Sequence, residues 1–368
     1  MQKENLFYYL ALQKASGVGD INAKKLIAHC GSAKAVFEEK NRNLEKISGI
    51  GTFVLKGLRN KSLLINAEQE LNFIEDNHIK AFSFLDEDYP DKLKHCIDGP
   101  VLLFQKGNIS LENQRIISIV GTRQMTNYGR SFLDEFIPKL KKYNPIIVSG
   151  LAYGVDIYTH RLAVKHNLQT IGILAHGLDA VYPKMHIKDV ENMQRNGGLM
   201  SDFWSKTNPD RENFIKRNRI VAGLSEATIV VESKAKGGSL ITADIANSYN
   251  RDVFALPGKI TDKYSEGCNQ LIKINKAAML TSVKDLEYIL NWEIADDKKP
   301  KTIQKQLFVE LIEEEQLVYD FLLKEGKQSL DIIALHCKYP IQKAATLLFN
   351  LEMKGVTKPL PGKIFEAV

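Results

Sequence analysis

The spacing of hydrophobic positions changes along the chain and predicts distinct structural regions. Up to about residue 75, Leu, Ile, Ala and Phe recur with the 3.6-residue period of amphipathic helices. From about 80 to 290, short apolar runs alternate with helical stretches, and the last sixty residues return to a helical pattern. The predicted divisions are a helical domain, an α/β domain, a polar linker and a C-terminal domain, at 1–78, 79–292, 293–306 and 307–368.

The middle region contains apolar runs that lack the polar alternation of half-exposed strands. We predict strands at 81–85, 101–104, 115–120, 145–149, 170–174, 228–232, 252–256 and 277–280. Helical stretches between them lie at 126–143, 153–167, 213–224 and 238–249. Apolar strands separated by helices are typical of a largely parallel sheet covered on both faces. The predicted fold class is α/β, with an extended Rossmann-like, doubly wound, mostly parallel sheet.

Two glycine turns interrupt the N-terminal helical pattern, SGVG at 16–19 and SGIG at 48–51. Their spacing resembles the helix-hairpin-helix motif, in which amides at a helix N-terminus approach a DNA phosphate. A small domain of the helix-hairpin-helix or SAM-like type is therefore expected. The same residues also suit plain turns between helices, and the sequence leaves both interpretations open.

The C-terminal region predicts three helices and a hairpin, which is the winged-helix pattern. The helices are expected around Leu317–Leu322, Leu330–His336 and Ile341–Met353, and the hairpin after Gly355. The third helix would read a duplex, yet Lys343 and Lys354 are the cations it carries. A protein-interaction or vestigial role is therefore as well supported as a duplex-binding, regulatory role.

The loops that follow the predicted parallel strands are rich in glycine and cations. These loops lie on one edge of an open sheet, where ligands bind. Five of them contain glycine and four also contain Lys or Arg, at 121–123, 150–156, 175–184, 233–239 and 257–259. Glycine permits close backbone approach, and helix N-termini present unpaired amides with partial positive charge. The edge therefore predicts an anion-binding groove.

Composition and motifs limit the classes of ligand that the groove could bind. The chain has 368 residues and a formal net charge of +6, which mildly favours polyanionic partners. Neither Gly-x-Gly-x-x-Gly after the first core strand nor the P-loop pattern occurs, so no nucleotide cofactor is expected. Four scattered cysteines form no C-x-x-C pair, so we expect no metal site and no disulfide framework.

The chain also contains no apolar run near the roughly 18 residues that a membrane helix requires. Its first twenty residues suit a first helix better than a signal peptide. We therefore expect a cytoplasmic protein with no membrane partner.

Arg217 is the most informative single residue of the pattern. On a helix it shares a face with Ile220, Val221 and Leu224. An arginine on an apolar face requires a partner, either a carboxylate such as Glu232 or Asp156, or an anion at the sheet edge. The two are compatible if the carboxylate orients the guanidinium. Arg219 lies about 200° away around the helix and does not share that geometry.

Taken in order, the motifs resemble the DprA/Smf family of DNA-processing proteins. YPDKL at 89–93 and GP at 99–100 precede the main series. That series is VGTR at 120–123, YG at 128–129, SGLAYGVD at 149–156 with His160, Tyr182-Pro183, RNRI at 217–220, KGGSLITA at 236–243, ALPG at 255–258 and GCNQLI at 267–272. The resemblance covers residues from about 89 to 290, and the flanking regions match the longer members of the family.

The resemblance implies a bacterial protein that binds single-stranded DNA and helps load RecA recombinase in natural transformation and recombination. It also implies a homodimer through the Rossmann-like domain, and no enzymatic role. The implied phosphate contacts are Arg123, Lys184 and the triplet Arg217, Asn218 and Arg219. The full candidate DNA-binding set is Gly121, Thr122, Arg123, Ser149, Gly150, Tyr153, Gly154, Lys184, Arg217, Asn218, Arg219, Lys236, Gly237, Gly238 and Ser239.

Several positions depart from the family pattern. Tyr153 stands where a basic or small residue is usual, Ile215 replaces a proline, and Asp202 replaces a glutamate. Gly237-Gly238 replaces Ser-Gly. Tyr153 would either stack on a DNA base or pack against the protein, and the sequence does not decide between these roles.

An enzyme remains the alternative. Rossmann-like proteins that hydrolyse nucleotide N-glycosidic bonds carry a glycine-rich turn and a nearby glutamate, which Gly237-Gly238-Ser239 and Glu232 resemble faintly. Asp156 and His160 are one helical turn apart, as acid/base partners would be. The same pair suits a local ion pair or a helix cap, which is the favoured interpretation.

Overall fold

The structure, a computed structural model, describes residues 1–111, 115–292, 311–360 and 364–367. It forms two compact units, Met1–Ile294 and Ala295–Val368. The predicted linker at 293–306 lies outside the described residues. None of the helices in the described ranges is long and apolar enough to cross a bilayer.

The N-terminal region is helical, as its hydrophobic period predicts. Its helices are α1 Lys3–Lys14, α2 Asp20–Cys30, α3 Ala33–Glu38, α4 Asn41–Leu44, α5 Thr52–Leu58 and α6 Ser62–Asp76. One continuous apolar cluster joins their buried leucines and isoleucines to Leu102, Leu199 and Trp204 of the α/β region. The regions on either side of the predicted boundary near residue 78 therefore share one hydrophobic core.

The two predicted glycine turns connect these helices and lie side by side. Gly19 precedes α2 and Gly51 precedes α5. An added Cβ on Gly17 would lie 2.7 Å from the Phe53 ring, and one on Gly57 would lie 2.3 Å from the Ser16 carbonyl. The helix-hairpin-helix interpretation, with its DNA contact, stays a prediction.

The α/β region follows. Its strands are β1 Lys80–Ser83, β2 Leu102–Asn108, β3 Ile116–Val120, β4 Ile146–Ser149, β5 Thr170–Ile173, β6 Gly197–Ser201, β7 Ala227–Val230, β8 Asp252–Ala255 and β9 Ala278–Met279. Its helices are α7 Asp91–Lys94, α8 Asn127–Leu140, α9 Val155–Lys165, α10 Ile187–Met193, α11 Arg211–Leu224, α12 Gly238–Ser248, α13 Glu266–Lys273 and α14 Val283–Leu290.

These nine described strands form one sheet in the order β1-β2-β6-β5-β4-β3-β7-β8-β9. From β6 to β9 the neighbours are parallel, while β1 and β2 extend the sheet in antiparallel fashion. The predicted doubly wound, mostly parallel sheet is confirmed. Winding runs from β3 toward β6 on one side and from β7 toward β9 on the other, so the switch point lies between β3 and β7.

Strand β6 was absent from the predicted set. It begins with Gly197 and Gly198, residues that are depleted in strands and typical of turns. Both glycines are required by close neighbours. An added Cβ would lie 2.1 Å from the Thr170 carbonyl at Gly197 and 2.2 Å from the Lys106 carbonyl at Gly198. The backbone of the two neighbouring strands therefore requires glycine at these positions, and those glycines made the strand hard to predict from sequence.

The C-terminal unit contains α15 Glu313–Glu325, β10 Gln328–Ser329, α16 Leu330–His336, α17 Ile341–Met353, β11 Thr357–Leu360 and β12 Ile364–Ala367. The strands form an antiparallel sheet in the order β10-β12-β11. Val318, Leu322, Ile333, Leu348 and Leu351 form its core. The three predicted helices and the hairpin are confirmed, in the winged-helix order.

A candidate nucleic-acid interface

An open groove of about 1090 Å³ lies at the switch point, where the loops after β3, β4 and β7 meet the N-terminal half of α11. It brings together ten of the predicted site residues, namely Gly121, Thr122, Arg123, Gly150, Arg217, Asn218, Lys236, Gly237, Gly238 and Ser239. Sequence positions more than a hundred residues apart therefore share one surface, as the shared-edge argument predicts.

The charge of the groove is predominantly positive. Its lining contains five cationic side chains, Arg123, Arg211, Arg217, Lys234 and Lys236. It also contains two carboxylates, Asp156 and Asp244, and each is balanced by a cation. Asp244 accepts from Lys276 Nζ at 2.8 Å, and Asp156 lies beside Arg217. The remaining positive charge favours an anion in the groove.

The loop after β4 is held against the loop after β3 by a glycine. Gly154 has a φ of +77°, which glycine adopts without steric cost. An added Cβ there would lie 2.3 Å from the Thr122 carbonyl, and that carbonyl accepts from Val155 N at 3.2 Å. Gly154 therefore fixes the start of α9 directly behind Arg123.

The side chains of Arg217 and Asp156 both lie over Gly150. An added Cβ on Gly150 would lie 2.4 Å from Asp156 Oδ2 and 2.6 Å from Arg217 Nη1, so this position has no space for a side chain. Arg217 is 5% exposed and donates from Nη1 to the Ile173 carbonyl. Of the two carboxylates proposed from sequence, Asp156 is therefore the one that stabilises the Arg217 charge electrostatically, and the arginine lines the groove as well.

Burial governs the protonation of this pair. Removal from water raises the pKa of the Asp156 carboxyl, and the nearby Arg217 guanidinium opposes that rise. Burial likewise lowers the pKa of Arg217, while Asp156 raises it. Each charge therefore depends on the other for stability inside the protein.

Helix α12 points its N-terminus into the groove. Gly237 caps the helix without a side-chain hydrogen bond, and an added Cβ on Gly238 would meet nothing within 4 Å. No side chain caps the first amides of α12, and the exposed Lys236 precedes them. Unpaired amides beside a lysine form a site that suits a phosphate.

Helix α11 adds two side chains to the groove that the sequence pattern did not single out, Arg211 and Phe214. Phe214 lies between two arginines, with its ring centre 5.3 Å from the Arg123 guanidinium and 5.8 Å from that of Arg217. Arg211 also lines the groove. A usable signal existed, because Arg211, Phe214 and Asn218 follow the i, i+3, i+7 spacing of one helix face.

An inner pocket adjoins the groove and is lined by aromatic and apolar side chains, among them Tyr153, Tyr182, Pro183 and Phe214. The Tyr182–Pro183 peptide bond is cis. Tyr153 is 45% exposed and also makes an edge contact with His186, with ring centres 5.2 Å apart. Both roles foreseen for Tyr153, packing and presenting a ring face, are therefore compatible with its position.

Besides Tyr153 and Arg219, three predicted site residues lie outside the groove. Ser149 is fully buried and donates from Oγ to the Ile119 carbonyl at 2.6 Å. Lys184 is exposed at the start of a short 3₁₀ turn, Lys184–His186. Gly154 lies behind Arg123, in a neighbouring pocket.

Arg219 requires a correction, because its position does not support phosphate contact. Its guanidinium donates to Asp202 and to the Asp98 carbonyl, and reaches Asp20 Oδ2 at 3.1 Å. Asp20 is the first residue of α2, so this arginine fastens the N-terminal helices to the α/β region. Burial raises the pKa of Asp202 to about 6, and Arg219 opposes that rise.

The groups considered for catalysis are engaged structurally. Glu232 is fully buried and accepts from Thr126 N at 2.8 Å and from the Thr126 hydroxyl, at the start of α8. His160 is fully buried, with Nδ1 2.6 Å from Thr170 Oγ1 and Nε2 2.7 Å from the Gly150 carbonyl. Burial lowers the pKa of His160 to about 4. Asp156 faces Arg217, so the proposed Asp156–His160 pair does not form.

The fold and the groove define a doubly wound α/β protein with a cationic interface at its topological switch point. A family model described as DNA recombination-mediator protein A matches residues 80–291. The chain therefore belongs to the DNA recombination-mediator protein A family, which confirms the resemblance to DprA/Smf proteins.

Individual relatives agree with this assignment. The chain is 34% identical to Protein Smf of Synechocystis over 76% of this chain and 71% of the relative. It is 36% identical to DNA processing protein DprA of Streptococcus pneumoniae over 63% of this chain and 83% of the relative.

Two solved structures are also similar. The crystal structure of the S. pneumoniae protein has a TM-score of 0.66 at 30% identity and covers 80% of this chain and 99% of its own. A Helicobacter pylori DNA processing protein A, whose structure is described in terms of its single-stranded DNA binding mode, has a TM-score of 0.52 at 28% identity. It covers 58% of this chain and 95% of its own.

Proposed function

We propose that this protein binds single-stranded DNA through the phosphate backbone, along the groove at the switch point. The observation that carries the proposal is the convergence of five cationic side chains and the α12 N-terminus on one groove. Several cations beside a helix N-terminus suit the repeating phosphates of a strand, and offer little base discrimination.

A single strand suits the site better than a duplex. Tyr182 is 48% exposed, Tyr153 is 45% exposed, and both line the pocket that adjoins the groove. Aromatic faces stack on unpaired bases, whereas a duplex keeps those faces inside its own stack. The single-stranded DNA binding described for the similar H. pylori protein supports this choice.

The expected signature is strong salt dependence. Three to five neutralised phosphates, at about 0.7 each, give a slope of log K against log salt between about −2 and −3.5. Fluorescence anisotropy of a labelled oligothymidylate over a salt series measures this slope, and the matching duplex is the control. Equal affinity for the duplex, or a slope near zero, would contradict the proposal.

The family's description as a recombination mediator supports a further role for the bound strand. We propose that the protein presents it to RecA, as the DprA/Smf resemblance implies, in natural transformation and recombination. A cytoplasmic location belongs to the same proposal.

A homodimer through the Rossmann-like domain is also part of the proposal. Large apolar side chains after β8 lie exposed, with Ile260 at 95%, Tyr288 at 88% and Met279 at 51%. Exposed apolar surface of this kind supports a protein contact.

We propose a binding role rather than a catalytic one. The carboxylate and imidazole that an N-glycosidic hydrolase would use are occupied by internal hydrogen bonds at Glu232 and His160. A general acid or base must reach the substrate, and both side chains are fully buried.

A further inference from the structure

Arg123 has a second cavity beside it, separate from the groove. This cavity, of about 370 Å³, lies between the start of α8 and the first turns of α9, and we call it the side pocket. Its lining includes Arg123, Arg130, Tyr153, Tyr158, Arg161 and Met185. Because Arg123 also lines the groove, a strand that contacts Arg123 can continue from the groove into the side pocket.

The side pocket is cationic. Three arginines line it and no carboxylate does. Arg161 is held by Asp189, with Nε–Oδ1 and Nη2–Oδ2 distances of 2.8 and 2.9 Å, so much of its charge is balanced. All three arginines are exposed, and Arg130 is the one on α8. The lining of the pocket therefore carries net positive charge, which would stabilise a phosphate.

Side-chain contacts position Arg130 on the α8 side of the pocket. The Arg130 guanidinium lies 4.8 Å from the centre of the Tyr158 ring, and the Tyr158 hydroxyl donates to Asp134 Oδ1 at 2.6 Å. Tyr153 and Met185 add apolar surface, at 45% and 68% exposure. A guanidinium over a ring, with aromatic and thioether surface in the same lining, provides both a phosphate contact and a surface for a base.

We propose that the side pocket binds an additional nucleotide of the same single strand, beyond the groove, with Arg130 contacting its phosphate. This inference rests on the proposed single-strand binding. It extends the DNA site past Arg123 onto α8 and α9. The volume lies within the range of small-ligand pockets, which extends from about 300 to 1,000 Å³.

Strand length tests the inference, because a short strand fills the groove alone. Oligothymidylates from about 4 to 16 nucleotides span the usual site sizes of single-strand binding domains. We expect R130E to weaken binding of the longest strands by about tenfold, the loss of one charge-assisted contact. Affinity for the shortest strand that the wild type binds should stay within about twofold.

A matched control is available on the same helix. Lys139 is exposed near the end of α8 and outside the side pocket, so K139E makes the same charge reversal without touching it. K139E should leave the affinity for oligonucleotides of every length unchanged. Equal losses for R130E at all lengths, or equal losses for R130E and K139E, would overturn the side pocket while leaving the groove intact. A wild-type protein that binds no strand of any length would overturn both proposals.

Discussion

Reversing the charge of Arg123 is expected to weaken single-stranded DNA binding by about a hundredfold. Arg123 is exposed and lines the groove, the inner pocket and the side pocket, so a strand bound at any of them is expected to contact it. Two charge-assisted phosphate contacts, at about tenfold each, account for the expected size. Arg123→Glu, measured by anisotropy at fixed salt, should weaken oligothymidylate and mixed-sequence strands alike, because phosphate contacts do not discriminate between bases.

The control for this prediction is Arg195→Glu. Arg195 is exposed just before β6, at the amino end of the parallel strands and therefore on the edge of the sheet opposite the groove. The substitution makes the same change of charge, so it should alter affinity by less than about twofold if the groove is the site. Similar losses for both variants would show a diffuse charge effect and contradict the assignment.

Removing Arg217 is expected to destabilise the protein by about 1–3 kcal/mol, because the buried Asp156 carboxylate then loses the guanidinium that partly compensates its charge. Asp156 is 8% exposed, and Arg217 is the principal charge that opposes the pKa rise caused by burial. Urea unfolding of Arg217→Met measures the loss. The double variant with Asp156→Asn should recover part of it, since the uncompensated charge is then absent.

The loss should also depend on pH in a defined direction. A folded-state pKa above the unfolded value of 3.8 means that the folded protein binds the proton more tightly. Without Arg217 this pKa rises further, so the variant loses stability as pH increases and is closest to the wild type in acid. Additive losses in the double variant, or a deficit that does not change with pH, would show that the two side chains are not coupled.

The sheet and its ligand-binding edge were predictable because they depend on local patterns. Apolar runs between helical stretches specify a parallel sheet, and the rule that loops share its carboxyl edge then brings 121–123, 150–156 and 233–239 together. Strand β6 was not predicted because its glycines, Gly197 and Gly198, are required by the backbones of neighbouring strands. The pattern of one strand alone does not contain that information.

The contacts of Arg219 were likewise not predictable from local sequence. Its helical position separated it from Arg217, but its partner Asp20 lies 199 residues away in the chain. Only the docking of α2 on the α/β region brings these two charges together. Asp156 was one of two carboxylates that local spacing allowed for Arg217. The other, Glu232, instead accepts hydrogen bonds from Thr126 at the start of α8, a contact that spans 106 residues.

Photochemical crosslinking of the wild-type protein to an oligonucleotide containing 4-thiothymidine tests the groove most directly, because it reports which residues lie against the bases. Mass spectrometry of the crosslinked peptides should place the DNA on the loop around Arg123, on Phe214 and Arg217 of α11, and on the turn around Lys236. Crosslinks confined to the N-terminal helices or to the unit after residue 294 would contradict the account.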